Sequence, residues 1–268
     1  MTLRALATFA VLLSPGLSLA QQPLKVGAVQ LGAPKAVSEL DADRLKGQPA
    51  KLAWSADGKE LYLQVLEGDF GKNGAVRHYT VTLGDGKQKS IDAEPAWANA
   101  YWAAKSGQAS PDDAAFKVGV ESGQRVERSV SAQMGGDLAR GGVGGGGDIG
   151  GGAGGTSAGD AIANAANAQS VMVHSLKLAG ETIGEFVNSV IVPGLTFAWG
   201  PSGSKAVIFA QPKGGKLVIM DSAKKKQEID GTKDAILPAF SADGSKLAWI
   251  RKDGRKKYSL LVADVSAR

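Results

Sequence analysis

The chain has 268 residues, 31 Lys and Arg against 26 Asp and Glu, 37 glycines and no cysteine. The length is ample for one large core or one all-β domain. The absence of cysteine excludes disulfide staples and cysteine–zinc sites, so stability must come from the core and from sheet pairing.

Residues 1–20 read as a secretory signal peptide. Arg4 supplies the positive start, Ala5 to Leu13 the apolar stretch, and Ser18-Leu19-Ala20 a small-x-small cleavage site before Gln21. The apolar run is short for a membrane span, an uncleaved anchor being the alternative. No cysteine follows it, which argues against a lipoprotein anchor. The chain after cleavage is expected not to span the membrane, with periplasmic location or secretion as the consequence. Its charge without Arg4 is +4.

Leu24 to Leu31 and Lys35 to Leu40 look like two strands standing in a leader segment, 21–50. A first unit, 51–93, begins with Lys51-Leu52-Ala53-Trp54, turns at Ser55-Ala56-Asp57-Gly58 and continues through Glu60 to Val65. Ser and Asp side chains cap turn N–H groups, and glycine takes the positive φ that lets the chain double back. Arg77 to Leu83 and Lys89 to Asp92 are its third and outer strands, with Gly68 to Gly74 a polar loop.

The second unit, 94–191, is irregular. Ala96 to Ala103, carrying Trp97, Tyr101 and Trp102, is expected to be its inner strand. Ser110-Pro111-Asp112-Asp113 is an eroded turn, Asp113 replacing glycine as a residue that tolerates left-handed backbone, and Phe116 to Val130 the second strand. Gly135 to Gly159 has almost nothing apolar to bury and reads as a flexible, disordered loop inserted between strands. Asp160 to Ala168 suits a short helix with Asp160 as N-cap, and Val171–Leu178 and Thr182–Val187 are the outer strands.

The third unit, 192–235, carries Leu195 to Trp199, the turn Gly200-Pro201-Ser202-Gly203 and Ala206 to Ala210. The fourth, 236–268, carries Leu237 to Phe240, Ser241-Ala242-Asp243-Gly244, Leu247 to Ile250 and Tyr258 to Val265. These strands are short on alternation, as strands buried on both faces are. Trp54, Trp199 and Trp249 fall at equivalent or neighbouring positions, where packing between units is the expected role.

The pattern of apolar strand, W/F-S-x-D-G-x-x and apolar strand resembles the blade repeat of TolB-type, WD40-like β-propellers, found in bacterial envelope proteins and some peptidases. The resemblance implies an all-β β-propeller of about four blades. The ring would be closed by the N-terminal strands, with Val37–Leu40 completing the last blade and hiding its edge. Half of a ring completed in a homodimer and an open arc on a partner are the alternatives. Blades identify a fold and not a ligand. What they imply here is protein–protein contact with envelope proteins, made by the disc face or its central opening.

From Lys213 onward there are thirteen Lys and Arg against seven acids, and before it, from Gln21, seventeen against nineteen. Lys224, Lys225 and Lys226 fall on one outer turn and Arg251, Lys252, Arg255, Lys256 and Lys257 on what reads as the corresponding loop of the next unit. They are either solvated turns that discourage edge association or a basic rim for an anionic surface or acidic partner. Nucleic acid is not expected, since no aromatic-basic interleaving is present.

Chemistry has little support. His78 and His174 sit in no metal or nucleophile motif, no G-x-S-x-G elbow occurs, and the glycine tract ends in no G-K-S/T. Asp57, Asp112 and Asp243 come one per unit, which favours turn capping over a shared calcium. The expectation is therefore a non-enzyme without cofactor, an exported scaffold or binding module of the cell envelope. The alternative is a propeller enzyme, or a small-molecule or anionic-polymer binder, with its site in the central channel or on the basic side.

Overall fold

The computed structural model describes residues 24–41, 47–66, 75–128, 168–187, 196–211, 214–254 and 257–267. The expected signal peptide, the Gly68–Gly74 loop, the glycine tract, the expected helix from Asp160 up to residue 167, and Arg255 and Lys256 lie outside them.

Among the described residues the protein is all-β with one helix, and its strands form four antiparallel sheets. In chain order, β1 (Val29–Leu31) and β2 (Lys35–Asp41) precede a four-stranded meander. It consists of β3 (Gln48–Trp54), β4 (Glu60–Leu66), β5 (Val76–Thr82) and β6 (Gln88–Ile91). The helix α1 (Ala96–Lys105) follows. The next sheet has three strands, β7 (Val118–Arg128), β8 (Ala168–Leu178) and β9 (Glu181–Val187). A second four-stranded meander is β10 (Phe197–Trp199), β11 (Ala206–Ala210), β12 (Leu217–Asp221) and β13 (Lys226–Ile229). The last sheet is β14 (Ala235–Phe240), β15 (Lys246–Lys252) and β16 (Lys257–Ala267).

The two N-terminal strands share the free edge of β16. Lys257 to Val262 pair with β2, Tyr258 opposite Leu40, and Val265 to Ala267 pair with β1. Strands from both ends of the described chain thus complete one five-stranded sheet.

Ala96 to Ala103 is helix, not the expected inner strand. The aromatic residues suggest a strand, but five alanines among ten residues favour a helix. Ala98, Tyr101, Trp102 and Lys105 then form one helical stripe, the inward one. The helix starts after Pro95, whose carbonyl accepts the first N–H bonds from Ala98 and Asn99. Ser106 ends it, its hydroxyl returning to the Trp102 carbonyl.

Apolar faces pack sheet against sheet. Leu52, Trp54, Leu61 and Leu63 meet Leu237, Ala248, Ile250 and Leu260. Ile208, Leu217 and Ile219 meet Phe240, Trp249 and Leu261 with Val26 and Val29. Phe116, Leu176, Leu178 and Phe186 meet Trp199, Phe209 and Met220. A smaller core places Ala98 of α1 on Ala53 and Tyr62. Among the described residues no hydrophobic core joins β7–β9 to β3–β6; α1 covers the latter instead. No sheet among the described residues closes on itself, and no helix there is long and apolar enough to cross a membrane.

Candidate functional site

The hairpin turns gather at one end of the sheets. In the first, the Ser55 hydroxyl donates to Asp57 Oδ1 at 2.7 Å and accepts the Glu60 N–H at 3.0 Å. The last repeats this, Ser241 Oγ donating to Asp243 Oδ1 at 2.6 Å and accepting the Lys246 N–H at 2.9 Å. Ser245 adds its N–H and hydroxyl to the Asp243 carboxylate. The hydrogen bond from Ser55 is the main reason the Asp57 carboxyl sits below the usual range. At Asp243 partial burial pushes the pKa up, and the bonds from Ser241 and Ser245 together bring it below normal.

The eroded copy is used differently. Ser110 Oγ accepts the Asp112 N–H, and Asp113 Oδ1 the Ala115 N–H. Asp112 instead reaches the neighbouring turn, where its Oδ2 accepts the Gly203 N–H at 2.8 Å. Pro201-Ser202-Gly203 has no acid of its own, and Asp112 supplies the missing cap from the loop before β7. Gly244 in turn lies against the Pro201 ring. Between the turns Ala56–Gly58 and Ser241–Lys246 a cleft of about 280 Å³ remains. These aspartates are occupied by turn N–H and hydroxyl groups; among the described residues no group of three or more His, Cys, Asp or Glu could hold a metal ion.

Helix α1 fills the space between the inner strands. Its Tyr101 hydroxyl donates to the Phe240 carbonyl of β14 at 2.7 Å. Lys105 Nζ donates to the Gly200 carbonyl, just beyond β10, at 2.5 Å. Lys51 of β3 pairs with Glu94, before the helix, at 3.1 Å and lies 5.5 Å from the centre of the Trp102 ring. Burial lowers the Lys105 pKa, an effect opposed by the Asp112 charge. Trp199 Nε1 donates to Gly107 just past the helix. Beneath α1, the Tyr62 hydroxyl bonds His78 Nδ1 at 2.6 Å, the two rings stacked and Trp97 edge-on. Burial, then the Glu94 charge, pushes the Tyr62 pKa well up. His174 bonds the Ser122 hydroxyl at 2.7 Å.

The basic residues do not form one rim. Lys224 and Lys226 both pair with Glu181, and the Lys225 side chain lies against Gly27. These lysines flank the β12–β13 turn, at the end of the sheets that carries the Ser/Asp turns. The β15–β16 loop with Arg251, Lys252 and Lys257 is at the other end, since antiparallel strands alternate direction. It is therefore not the counterpart of the lysine turn. Arg251 donates to Asp253 at 2.6 Å, and Ser259 to the same carboxylate at 2.5 Å. Around them opens a cleft of about 430 Å³ lined by Glu39, Asp41, Arg251, Asp253, Lys257 and Tyr258. Its charge is mixed. A further cleft of about 470 Å³ lies between β2, the Leu83–Gly86 turn and Lys246.

Legible in the sequence were the turn residues and the packing tryptophans. Not legible were α1 as a central filler and the mixed cleft, because Glu39 and Asp41 are over two hundred residues from Arg251 and meet it only through the β2–β16 pairing.

No family model matches the chain, and no curated protein matches it. Among solved structures, an oligogalacturonate lyase in complex with manganese is similar over 82% of this chain and 66% of its own length, at 8% identity and a TM-score of 0.24. That likeness is too distant to carry fold or chemistry across. The expectation of a non-enzyme is withdrawn, since the solved structure found is that of a lyase, and no activity of this chain is inferred from it.

Proposed function

We propose that the protein is an exported, TolB-type β-propeller-like binding module of the bacterial cell envelope that holds protein partners on the outside of its sheets. The observation that carries this reading is the filled centre. Tyr101, Lys105 and the Lys51–Glu94 pair tie α1 to the inner strands, so recognition falls to the exterior. There the cleft at Glu39, Asp41, Arg251 and Lys257 offers both charge signs around a tyrosine, a lining that suits a protein surface. The small-x-small site at Ser18–Ala20 supports export, and a periplasmic location follows from it.

The test is a pull-down from solubilised native envelopes with residues 21–268 as bait, beside a bait carrying Glu39→Lys and Lys257→Glu and another lacking 135–159. A discrete protein retained by the first bait and lost by the charge-reversed one supports the reading. Absence of any protein partner at every salt concentration overturns it.

A further inference from the structure

Among the described residues, strand β7 forms a sheet edge with no strand beside it along most of its length. It pairs with β8 along its whole length, Val118 opposite Leu178 to Arg128 opposite Ala168, without a register shift. On its other side, among the described residues, only its beginning is covered: the Val118 N–H donates to the Gln108 carbonyl, and the Phe116 carbonyl accepts the Ser110 N–H. Beyond Val118 the described sheet ends. Residues Gly119 to Arg125 are all exposed, Val120 by 42%. The helix α1 stands where an inner strand was expected, and among the described residues no other strand lies beside this edge.

The bonds at Phe116 and Val118 fix which groups face outward. In an antiparallel ladder alternate residues point to the same side, so Val120, Ser122 and Gln124 present their N–H and C=O groups at the open edge. Any second strand must meet those even-numbered residues.

The sequence at this edge is a charge palindrome about Gly123: Val120-Glu121-Ser122-Gly123-Gln124-Arg125-Val126. We propose that β7 pairs antiparallel with β7 of a second copy about a two-fold axis at Gly123, joining two three-stranded sheets into one. In that register Ser122 and Gln124 exchange backbone hydrogen bonds. Glu121 of each copy stands opposite Arg125 of the other, and position 120 meets position 126, both valine. The charged pairs fall at the sites between hydrogen-bonded pairs, where side chains approach closest.

Neighbouring two-fold registers lose this match. One centred on Ser122 sets Glu121 against Gly123, and one centred on Gln124 sets it against Glu127. Within each copy Glu121 already meets Lys177 at 2.7 Å and Arg125 meets Glu185 at 3.0 Å. Pairing therefore extends two existing ion pairs into one row of alternating sign. Opposite charges placed symmetrically also explain why this edge carries acid and base together, and not the lysines that usually block edge pairing.

The chain has no cysteine, which permits a direct test on residues 21–268. A Cβ at Gly123 meets nothing within 4 Å, and one at Gly119 only the Lys177 Cβ at 3.9 Å, so Gly123→Cys and Gly119→Cys both leave the fold undisturbed. In the proposed register the thiols that Gly123→Cys places on the two copies face each other at disulfide distance. Those placed by Gly119→Cys are far apart. Under mild oxidation Gly123→Cys should form a covalent dimer about tenfold faster or more. Sedimentation of the unmutated protein should show a dimer that Arg125→Glu weakens about tenfold and that reversing the whole row, Glu121→Arg and Arg125→Glu with Lys177→Glu and Glu185→Lys, restores. A monomer at all concentrations, equal cross-linking at both positions, or a dimer indifferent to the single reversal would overturn the proposal.

Discussion

The indole N–H of Trp54 donates to the carbonyl of Ala239 at 2.8 Å, joining the inner strand of the first sheet to that of the last. The residue is buried at the end of β3, directly before the turn. Trp249, equally buried in β15, has no partner for its Nε1 among the described residues. Trp54→Phe strands a buried carbonyl and should lower stability by about 1–2 kcal/mol. Trp249→Phe removes an unsatisfied donor and should cost less, because only packing is lost. Urea unfolding of the two variants checks the order.

Two turn glycines separate backbone strain from steric contact. Gly58 has φ +67° and Gly244 φ +70°. A Cβ at Gly58 meets nothing, whereas one at Gly244 comes within 2.7 Å of the Pro201 ring. Gly58→Ala should cost about 1–2 kcal/mol from left-handed strain alone. Gly244→Ala should cost more, since the contact is added to the same strain. Thermal melts of both variants show whether the neighbouring turn resists displacement.

Lys105 makes stability depend on alkaline pH. Burial holds its folded pKa below the ordinary 10.5. Between the lowered folded value and 10.5 the unfolded chain binds more protons, so stability rises with pH across that window and levels off above it. Lys105→Met should abolish this rise, while still leaving the Gly200 carbonyl without its donor. Denaturant midpoints measured from neutral to alkaline pH, for both proteins, test the sign.

Glu181 masks two lysines, Lys224 and Lys226. These are exposed ion pairs, of little weight for folding. Glu181→Gln should leave the melting temperature nearly unchanged and raise the salt needed to elute the protein from an anionic resin. Unchanged elution would mean that these lysines do not face outward together.

The hairpins were legible because their information is local. Ser55, Asp57 and Gly58, or Ser241, Asp243 and Gly244, carry the turn within four residues, and the flanking apolar runs have no competing period. Tyr101 and Trp102 were misleading because an aromatic residue suits strand and helix alike once it is buried, and only the surrounding alanines distinguish the two. Asp112 was legible as a turn residue but not as the cap of Gly203, a contact made across ninety residues by the packing of two sheets. The mixed cleft is of the same kind. Its charges converge only after β2 has docked.

The pairing of β2 with β16 also sets a timetable. Lys35 to Asp41 is synthesised more than two hundred residues before the strand it adjoins, Lys257 to Val262. The first meander, β3 to β6, can form from neighbouring residues as soon as they are available. The five-stranded sheet must await β16, and its closure over so long a separation is entropically slow. Until then the apolar faces of Leu40 and Leu237 lack their final cover, a state in which association with other chains competes with folding. A circular permutant that places β2 directly after β16 would remove the delay without altering a single contact between the two strands.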